Sequence, residues 1–318
     1  MEPHVFRELA ALLESRSLLR SSRTVSVEEQ LAIFMTVVGH AAPNRVACEQ
    51  FQHSSETISR YFHMVLCAIN SLANEMIQMP GGDEPAHPRV RNTPFMDALG
   101  AIDGTHVPVI VPKEIQERFR NRHGWISQNV MDVVSFDMHF QFLCAGWEGS
   151  AADMRVMQSC LDDRSFSIPE GKYYLVDAGY ANTTGLLAPY RGERYHLAQF
   201  TSGRTQYRNM KDKFNHSHAR LRNVVERAFG LLKRRFKILR VPAPFSVETQ
   251  RDIVIACAVI HNYLCKHTIC DPNLEQDQNR HVDEGSYPNV GRPHQSSDGG
   301  RGTSQSVRDS IARQLWLS

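Results

Sequence analysis

Two apolar, strand-like runs each carry a single aspartate where a soluble fold has no structural need of one. In Ala101-Ile102-Asp103-Gly104-Thr105-His106-Val107-Pro108-Val109-Ile110-Val111 the acid interrupts the run, and in Tyr173-Tyr174-Leu175-Val176-Asp177-Ala178-Gly179 it ends it. A third acid, Glu226, lies inside the long basic helical stretch Arg220-Leu221-Arg222-Asn223-Val224-Val225-Glu226-Arg227. Burying a carboxylate costs several kcal/mol unless a cation or hydrogen bonds compensate it. Acids that converge from separate elements therefore suggest a shared cation, and hard oxygen ligands suit Mg²⁺ or Mn²⁺. Two such ions can activate water and stabilise the departing oxygen in phosphodiester cleavage.

The order of elements follows from periodicity. Residues up to about 95 read as helical: Val27 to Val38 is amphipathic with Ser26 as N-cap, and a second helix spans about Arg45 to Phe51. A break at Gln52-His53-Ser54 precedes a third helix through Ile58, Tyr61, Phe62, Val65, Leu66 and Ile69. Two helices joined by so short a turn suggest a helix-turn-helix with Glu56, Thr57, Ser59 and Arg60 as its reading face; a plain three-helix bundle satisfies the same spacing. A Pro/Gly cluster at residues 80–88 then marks a boundary.

Beyond it, strands are expected at 100–111, about 126–136, about 139–147 and 173–178, with a hairpin turn at Asp137-Met138 and a helix from Ser150 to Leu161. Helices follow from about Thr205 to Phe236, broken near His216-Ser217-His218, and from Val247 to His267. This is an α/β order. Residues 271–305 are too poor in apolar side chains to offset chain entropy and are expected to be a disordered linker. Val307, Ile311, Leu315 and Trp316 then recur at helical spacing over 306–318. The chain thus divides into a helical part (1–90), an α/β part (91–270), the linker and a short C-terminal helix.

Charge distribution narrows the partner. The net charge is only +2, but between Arg204 and Arg240 twelve Lys or Arg face only Asp212 and Glu226, an imbalance that suits nucleic acid or a solvated basic face. On an ideal helix, Arg222, Asn223, Gly230 and Lys233 share the face of Glu226, a stripe suited to a metal beside a phosphate backbone. The seven cysteines are odd in number, arguing for a reducing compartment rather than a disulfide framework. Cys257, His261 and Cys265 sit one turn apart, but a helix apolar almost all round reads as packing rather than zinc binding. No signal peptide or run of ~20 apolar residues is seen, so a soluble, intracellular protein with no membrane association is expected.

Several motifs, in order, resemble the PIF/Harbinger transposase-derived nucleases of the DDE superfamily. They are Gly100-Ala101-Ile102-Asp103-Gly104-Thr105-His106, Gly149-Ser150-Ala151-Ala152-Asp153-Met154-Arg155, Val176-Asp177-Ala178-Gly179-Tyr180 and Asn223-Val224-Val225-Glu226-Arg227-Ala228-Phe229-Gly230, continued by Leu231-Leu232-Lys233-Arg234-Arg235-Phe236. His261-Asn262 fits as well, and Ser26-Val27-Glu28-Glu29-Gln30 and Glu56-Thr57-Ile58-Ser59-Arg60-Tyr61-Phe62 look like plant-type members. The resemblance implies an RNase H-like α/β catalytic domain, a mixed sheet with flanking helices, preceded by the all-α, helix-turn-helix-like N-terminal domain. It implies that Asp103, Asp177 and Glu226 are a catalytic, metal-binding triad for Mg²⁺ or Mn²⁺. Asp153 and Arg155 belong to a family motif and are candidates for supporting the triad or contacting phosphate; a helix-capping role for them is open. His106 is a candidate to orient a water or phosphate, or a satisfied core histidine. Arg222, Asn223, Lys233, Arg234 and Arg60 are the candidate DNA contacts. Asp132 is expected on a strand surface and Asp137 in a turn. The resemblance also implies a Myb-like DNA-binding partner and a nuclear location, with the cytoplasm second. A domesticated, non-catalytic DNA- or chromatin-associated scaffold is the alternative, since such proteins occur in the family.

Overall fold

The computed structural model describes residues 1–200, 206–267 and 301–317. Five helices open the chain: α1 (Pro3–Ser15), α2 (Val27–His40), α3 (Asn44–Phe51), α4 (Ser55–Asn70) and the short α5 (Ala73–Met76). Ser26 and Ser54 cap α2 and α4 by accepting the backbone N–H three residues on, which satisfies donors a helix start leaves free. Between α3 and α4 the chain turns at Gln52, held in the left-handed region (φ 56°). Glu56, Ser59 and Arg60 are exposed on α4, while Ile58, Tyr61, Phe62 and Val65 are buried. Arg60 lies 3.8 Å from Glu56, so its charge is partly met within its own helix.

The α/β part holds β1 (Ala98–Pro108), α6 (Gln116–Phe119), β2 (Ser127–Val134), β3 (Phe140–Glu148), α7 (Asp153–Asp162), β4 (Tyr173–Leu175), β5 (Leu186–Leu187), α8 (Met210–Arg235), α9 (Val247–His267) and the C-terminal α10 (Arg301–Leu317). The strands form one mixed sheet in the order β3-β2-β1-β4-β5. β1, β2 and β3 pair antiparallel, whereas β1, β4 and β5 run parallel. This mixed sheet with flanking helices is consistent with an RNase H-like fold.

Alternation along β1 and β2 assigns the two faces. Ala101, Val107, Val130 and Val134 point into a core shared with α8, α9 and α1–α4; Ile102, Met131 and Val133 point to α7. The helices of residues 1–90 therefore share one hydrophobic core with the sheet. Phe62 of α4 stacks on Phe245, ring centroids 4.9 Å apart, and Asn70 donates to the Asp252 carbonyl of α9 (3.1 Å).

Two expectations need correction. α8 is unbroken across His216-Ser217-His218. No Gly or Pro lies between Gln206 and Phe229, and buried His218 uses its ring to meet the Leu187 carbonyl (2.8 Å) and the Tyr195 hydroxyl (3.3 Å). The C-terminal helix also starts earlier than its apolar spacing suggests, at Arg301, and docks through Ile311 and Ala312. The linker expected before it lies, up to residue 300, outside the described residues. Among the described residues no helix is long and apolar enough to cross a membrane.

Candidate active site

The parallel pairing of β1 with β4 ends at Ala101↔Leu175. Asp103 lies two residues past the one end, and Asp177 two residues past the other. Asp177 thus stands just past the C-terminal end of β4, and Asp103 lies midway along β1, where β1 runs on beyond its pairing with β4; strand ends of this kind are where α/β sheets gather ligands. α8 crosses the Asp103 face of the sheet and brings Glu226 to the same place.

Arg222, one turn before Glu226, joins the acids. Its Nη1 donates to Asp103 Oδ2 (2.8 Å), its Nη2 donates to Glu226 Oε1, and its Nε donates to the Tyr195 hydroxyl (2.9 Å). The side chain is 10% exposed, so this charge is held inside the protein. Expected as a phosphate contact, it is here the internal counter-ion of two of the three acids. Asp177 Oδ1 accepts the Gly179 N–H (2.8 Å). Its carboxyl is pushed above the usual range by burial and then by the charge of Asp103, with Arg222 and nearby N–H groups pulling back. Glu226 keeps 52% of its side chain open to solvent, yet the protein mass around its carboxyl, with Asp103 and Asp177, lifts its pKa despite Arg222. The site is therefore a crowd of like charges with one compensating cation.

Asp153 opens α7 and accepts from Asn129 Nδ2 (2.7 Å). A Cβ on Gly104 would meet Asp153 Oδ1 at 2.2 Å, so the glycine is what lets this carboxyl approach the triad strand. Burial, opposed by Asn129 and reinforced by Asp103 and Asp177, raises Asp153 to about 6. Arg155 is exposed on α7. His106 Nδ1 meets Ser127 Oγ (3.1 Å), and burial, then the charges of Lys233 and Arg122, lowers it to about 4. It is neutral and structural at physiological pH.

Lys233, also expected at phosphate, reaches β1 instead: its Nζ donates to Thr105 Oγ1 (2.7 Å) and the His106 carbonyl (2.9 Å). Asn223 and Arg234 lie half-buried on α8. Asp132, expected on a surface, is 1% exposed. It pairs across the sheet with Asp103 on the α8 face, and neither of its oxygens has a hydrogen-bond partner among the described residues. Burial, reinforced by Asp103 and opposed by Lys233, pushes its pKa well above the usual carboxylate value. Asp137 does sit in the β2–β3 turn, within 2.9 Å of His87. His261 directs its ring nitrogens to Arg235 (2.8 Å) and the Met138 carbonyl (2.9 Å), while Cys257 is fully buried.

Sequence reasoning missed Tyr195 and Asn129. Tyr195 follows no periodic element, and burial pushes its hydroxyl up to about 12. Asn129 looks like any polar strand residue until α7 folds over it.

A pH test isolates Asp153. A carboxyl raised in the fold contributes stability that is complete below its unfolded pKa of 3.8 and lost as pH rises through about 6. In chelator, wild-type stability should fall by about 3 kcal/mol from this group across that window, and Asp153→Asn should flatten the fall. Urea melts at pH 4, 5, 6 and 7 measure it; parallel profiles for the two proteins would show that Asp153 does not titrate there.

Comparison with known proteins assigns a family. Residues 102–262 match the family described as DDE superfamily endonuclease, and residues 1–71 match a domain of unknown function. A rat protein named "Putative nuclease HARBI1" is 25% identical over 256 residues, 77% of this chain and 69% of its own length. Its human counterpart is 25% identical over 224 residues, 67% of this chain and 60% of its own. An Arabidopsis thaliana "Protein ALP1-like" is 22% identical over 275 residues, covering 79% and 64%. The chain thus spans about two thirds of the length of these relatives. No solved structure gives a significant match. The family match covers half the chain and contains Asp103, Asp177 and Glu226, and the chain belongs to the DDE superfamily endonucleases, with relatives among the Harbinger-derived proteins its motifs resemble.

Proposed function

We infer that this protein is a transposase-derived DNA endonuclease that hydrolyses phosphodiester bonds with divalent metal. The observation that carries the reading is the matched placement of Asp103 and Asp177, each two residues past the last paired position of β1 with β4, with Glu226 tied to Asp103 through Arg222.

The carboxylates fit Mg²⁺ or Mn²⁺ in kind, being hard oxygen donors. They are not arranged for it as they stand: among the described residues no three Asp, Glu, His or Cys side chains form a group that could hold a metal. Asp103, Asp177 and Glu226 are the residues that would hold the ion, with Arg222 giving up its two carboxylates. Two such ions would supply an activated water and stabilisation of the departing 3′ oxygen. The chain's own side chains do the rest. A released Arg222 offers a planar fork to a phosphate. Lys233 keeps the Thr105–His106 segment of β1 in place. Asp153, with its carboxyl at about 6, is able to take up or yield a proton near neutral pH.

DNA is the proposed partner, on the strength of the basic α8 and the family. A Myb-like helper protein and a nuclear location rest on the resemblance alone. The second reading, a non-catalytic DNA-associated scaffold, is favoured by one observation: Arg222 occupies carboxylate oxygens of both Asp103 and Glu226.

Nicking of supercoiled plasmid separates the two. Purified protein should nick in Mg²⁺ or Mn²⁺ and stop in EDTA, and Asp177→Asn should abolish the reaction while leaving DNA retention in a gel unchanged. Retention without nicking in any divalent ion would establish the scaffold.

A further inference from the structure

Two large apolar side chains are exposed at one end of β1, and each stands on a segment locked by a buried amide. Trp125 is 45% exposed and Ile110 47%. Asn121, 4% exposed, fixes the turn that carries Trp125: its Oδ1 accepts from the N–H groups of His123 (2.9 Å) and Trp125 (3.3 Å), and its Nδ2 donates to Ser127 Oγ (3.1 Å). Gln250, also 4% exposed, does the same for Ile110, accepting its N–H (2.9 Å) and donating to its carbonyl (2.7 Å). A fold that rigidly displays an indole and an isoleucine in water has prepared a surface rather than tolerated one. Between them lies a groove of about 500 Å³, lined also by Pro108, Val109, Pro242 and Arg240.

Charge and position identify what would enter it. Arg240 borders the groove and Arg122 stands in the Trp125 turn, and neither forms an ion pair among the described residues, whereas Arg118 and Arg120 are matched by Glu148 and Glu117. The groove flanks β1 beyond the position of Asp103. His106, whose ring lies 6.4 Å from that of Trp125, is three residues along the same strand from Asp103, roughly 10 Å at ~3.3 Å per residue. The charge of Arg122 reaches both His106 and Asp153. An aromatic platform with flanking cations is how proteins hold unpaired bases, because every base offers a π-face and every link a phosphate.

We propose that the Trp125–Ile110–Arg240 groove is a nucleobase subsite, in which one unpaired base of a DNA strand stacks on Trp125 while Arg122 and Arg240 hold its flanking phosphates. The proposal rests on the DNA-processing reading of the carboxylate site and adds the form of the substrate: a strand locally unpaired about 10 to 20 Å from the cleaved bond.

The test is binding in EDTA, where no cleavage occurs, of a fluorescein-labelled 20-nucleotide single strand and of its fully paired duplex, read by anisotropy. Trp125→Ala should weaken single-strand binding about 5- to 100-fold, and Trp125→Phe should recover part of the loss. Neither should change the salt slope. Arg122→Gln and Arg240→Gln should each lower that slope by about 0.7. Thermal melts verify that the variants fold, as expected for solvent-facing positions. Single-strand affinity within two-fold of wild type in Trp125→Ala overturns the subsite, as does an equal loss for the paired duplex, or wild-type protein that binds no single strand. In the first case a partner protein, not a base, is what covers the groove. The outcome is separable from the nuclease assay. Plasmid nicking by wild type with an unaffected Trp125→Ala leaves the endonuclease standing without the subsite. Weakened binding in Trp125→Ala with no nicking in any metal leaves the subsite on a scaffold.

Discussion

Arg222→Met is expected to lower the stability of the metal-free protein by about 3 kcal/mol at pH 7, the low end for breaking a buried ion pair. The loss arises mainly at Asp103, whose side chain is 18% exposed, and at Tyr195, which loses the donor to its buried hydroxyl. Glu226 contributes less, because water already reaches half of it. The deficit should depend on pH with a definite sign. Asp177 and Glu226 carry raised pKa values in the fold, so their contribution is complete below their unfolded pKa and is lost as pH rises through the folded value. Removing the compensating cation raises them further. The variant should therefore approach wild type as pH falls toward 4 and diverge as it rises to 7. Denaturant melts in EDTA measure this; a deficit under 1 kcal/mol, or one independent of pH, would mean that Arg222 is not the counter-ion of the site. Mn²⁺ titrated by calorimetry should bind the variant more tightly than wild type, because the guanidinium no longer competes for the same oxygens. Equal affinities would show that the two cations do not share ligands. Arg222→Lys should behave like a weaker Met substitution, since an ammonium cannot bridge two carboxylates with the reach of a planar fork.

Asp103→Asn should reduce metal-dependent cleavage on the order of 10² to 10³-fold or more, the scale on which removing one preorganised electrostatic contact acts. The argument is local. Asp103 Oδ1 accepts the Gly104 N–H (3.0 Å) and Oδ2 accepts from Arg222 (2.8 Å). An amide keeps one of these acceptors and points a donor at the other, so the charge and one hydrogen bond go while the backbone of β1 is undisturbed. The fold should survive with a loss of about 1–2 kcal/mol, visible as an unchanged circular dichroism spectrum and a modestly lower melting temperature. Single-turnover cleavage in Mn²⁺ gives the rate. Nicking undiminished in this variant would mean that Asp103 is not at the reacting phosphate, and the endonuclease reading would fall with it.

Much of the scaffold is legible in the chain alone. The two apolar runs each hold a strand, Ala98–Pro108 and the shorter Tyr173–Leu175, and Val247–His267 is one helix, because apolar periodicity and caps are local signals. β5 escapes such reading: at two residues, Leu186–Leu187, it has no period to detect and exists because β4 offers a free edge. The break expected at His216–His218 has the same lesson in reverse. No side-chain signal in the stretch marks it as helical; His218 is fixed there by the Leu187 carbonyl and the Tyr195 hydroxyl, from elements close in space but remote in sequence.

What the sequence determined by itself is which acids stand out: an aspartate in each of two largely apolar runs, and a glutamate in a basic helix, are conspicuous because desolvation makes them costly. What only the tertiary structure decided is how those charges are met. Arg222 and Lys233 look alike on a helical wheel as cations facing DNA, yet one bridges Asp103 and Glu226 and the other fastens to Thr105 and the His106 carbonyl. Asp132 reads as a surface residue and is buried, its pKa pushed well up by that burial. A side chain's partner and its access to water depend on which distant segment packs against it, and strand pairing, register and helix placement fix that only once the chain has folded.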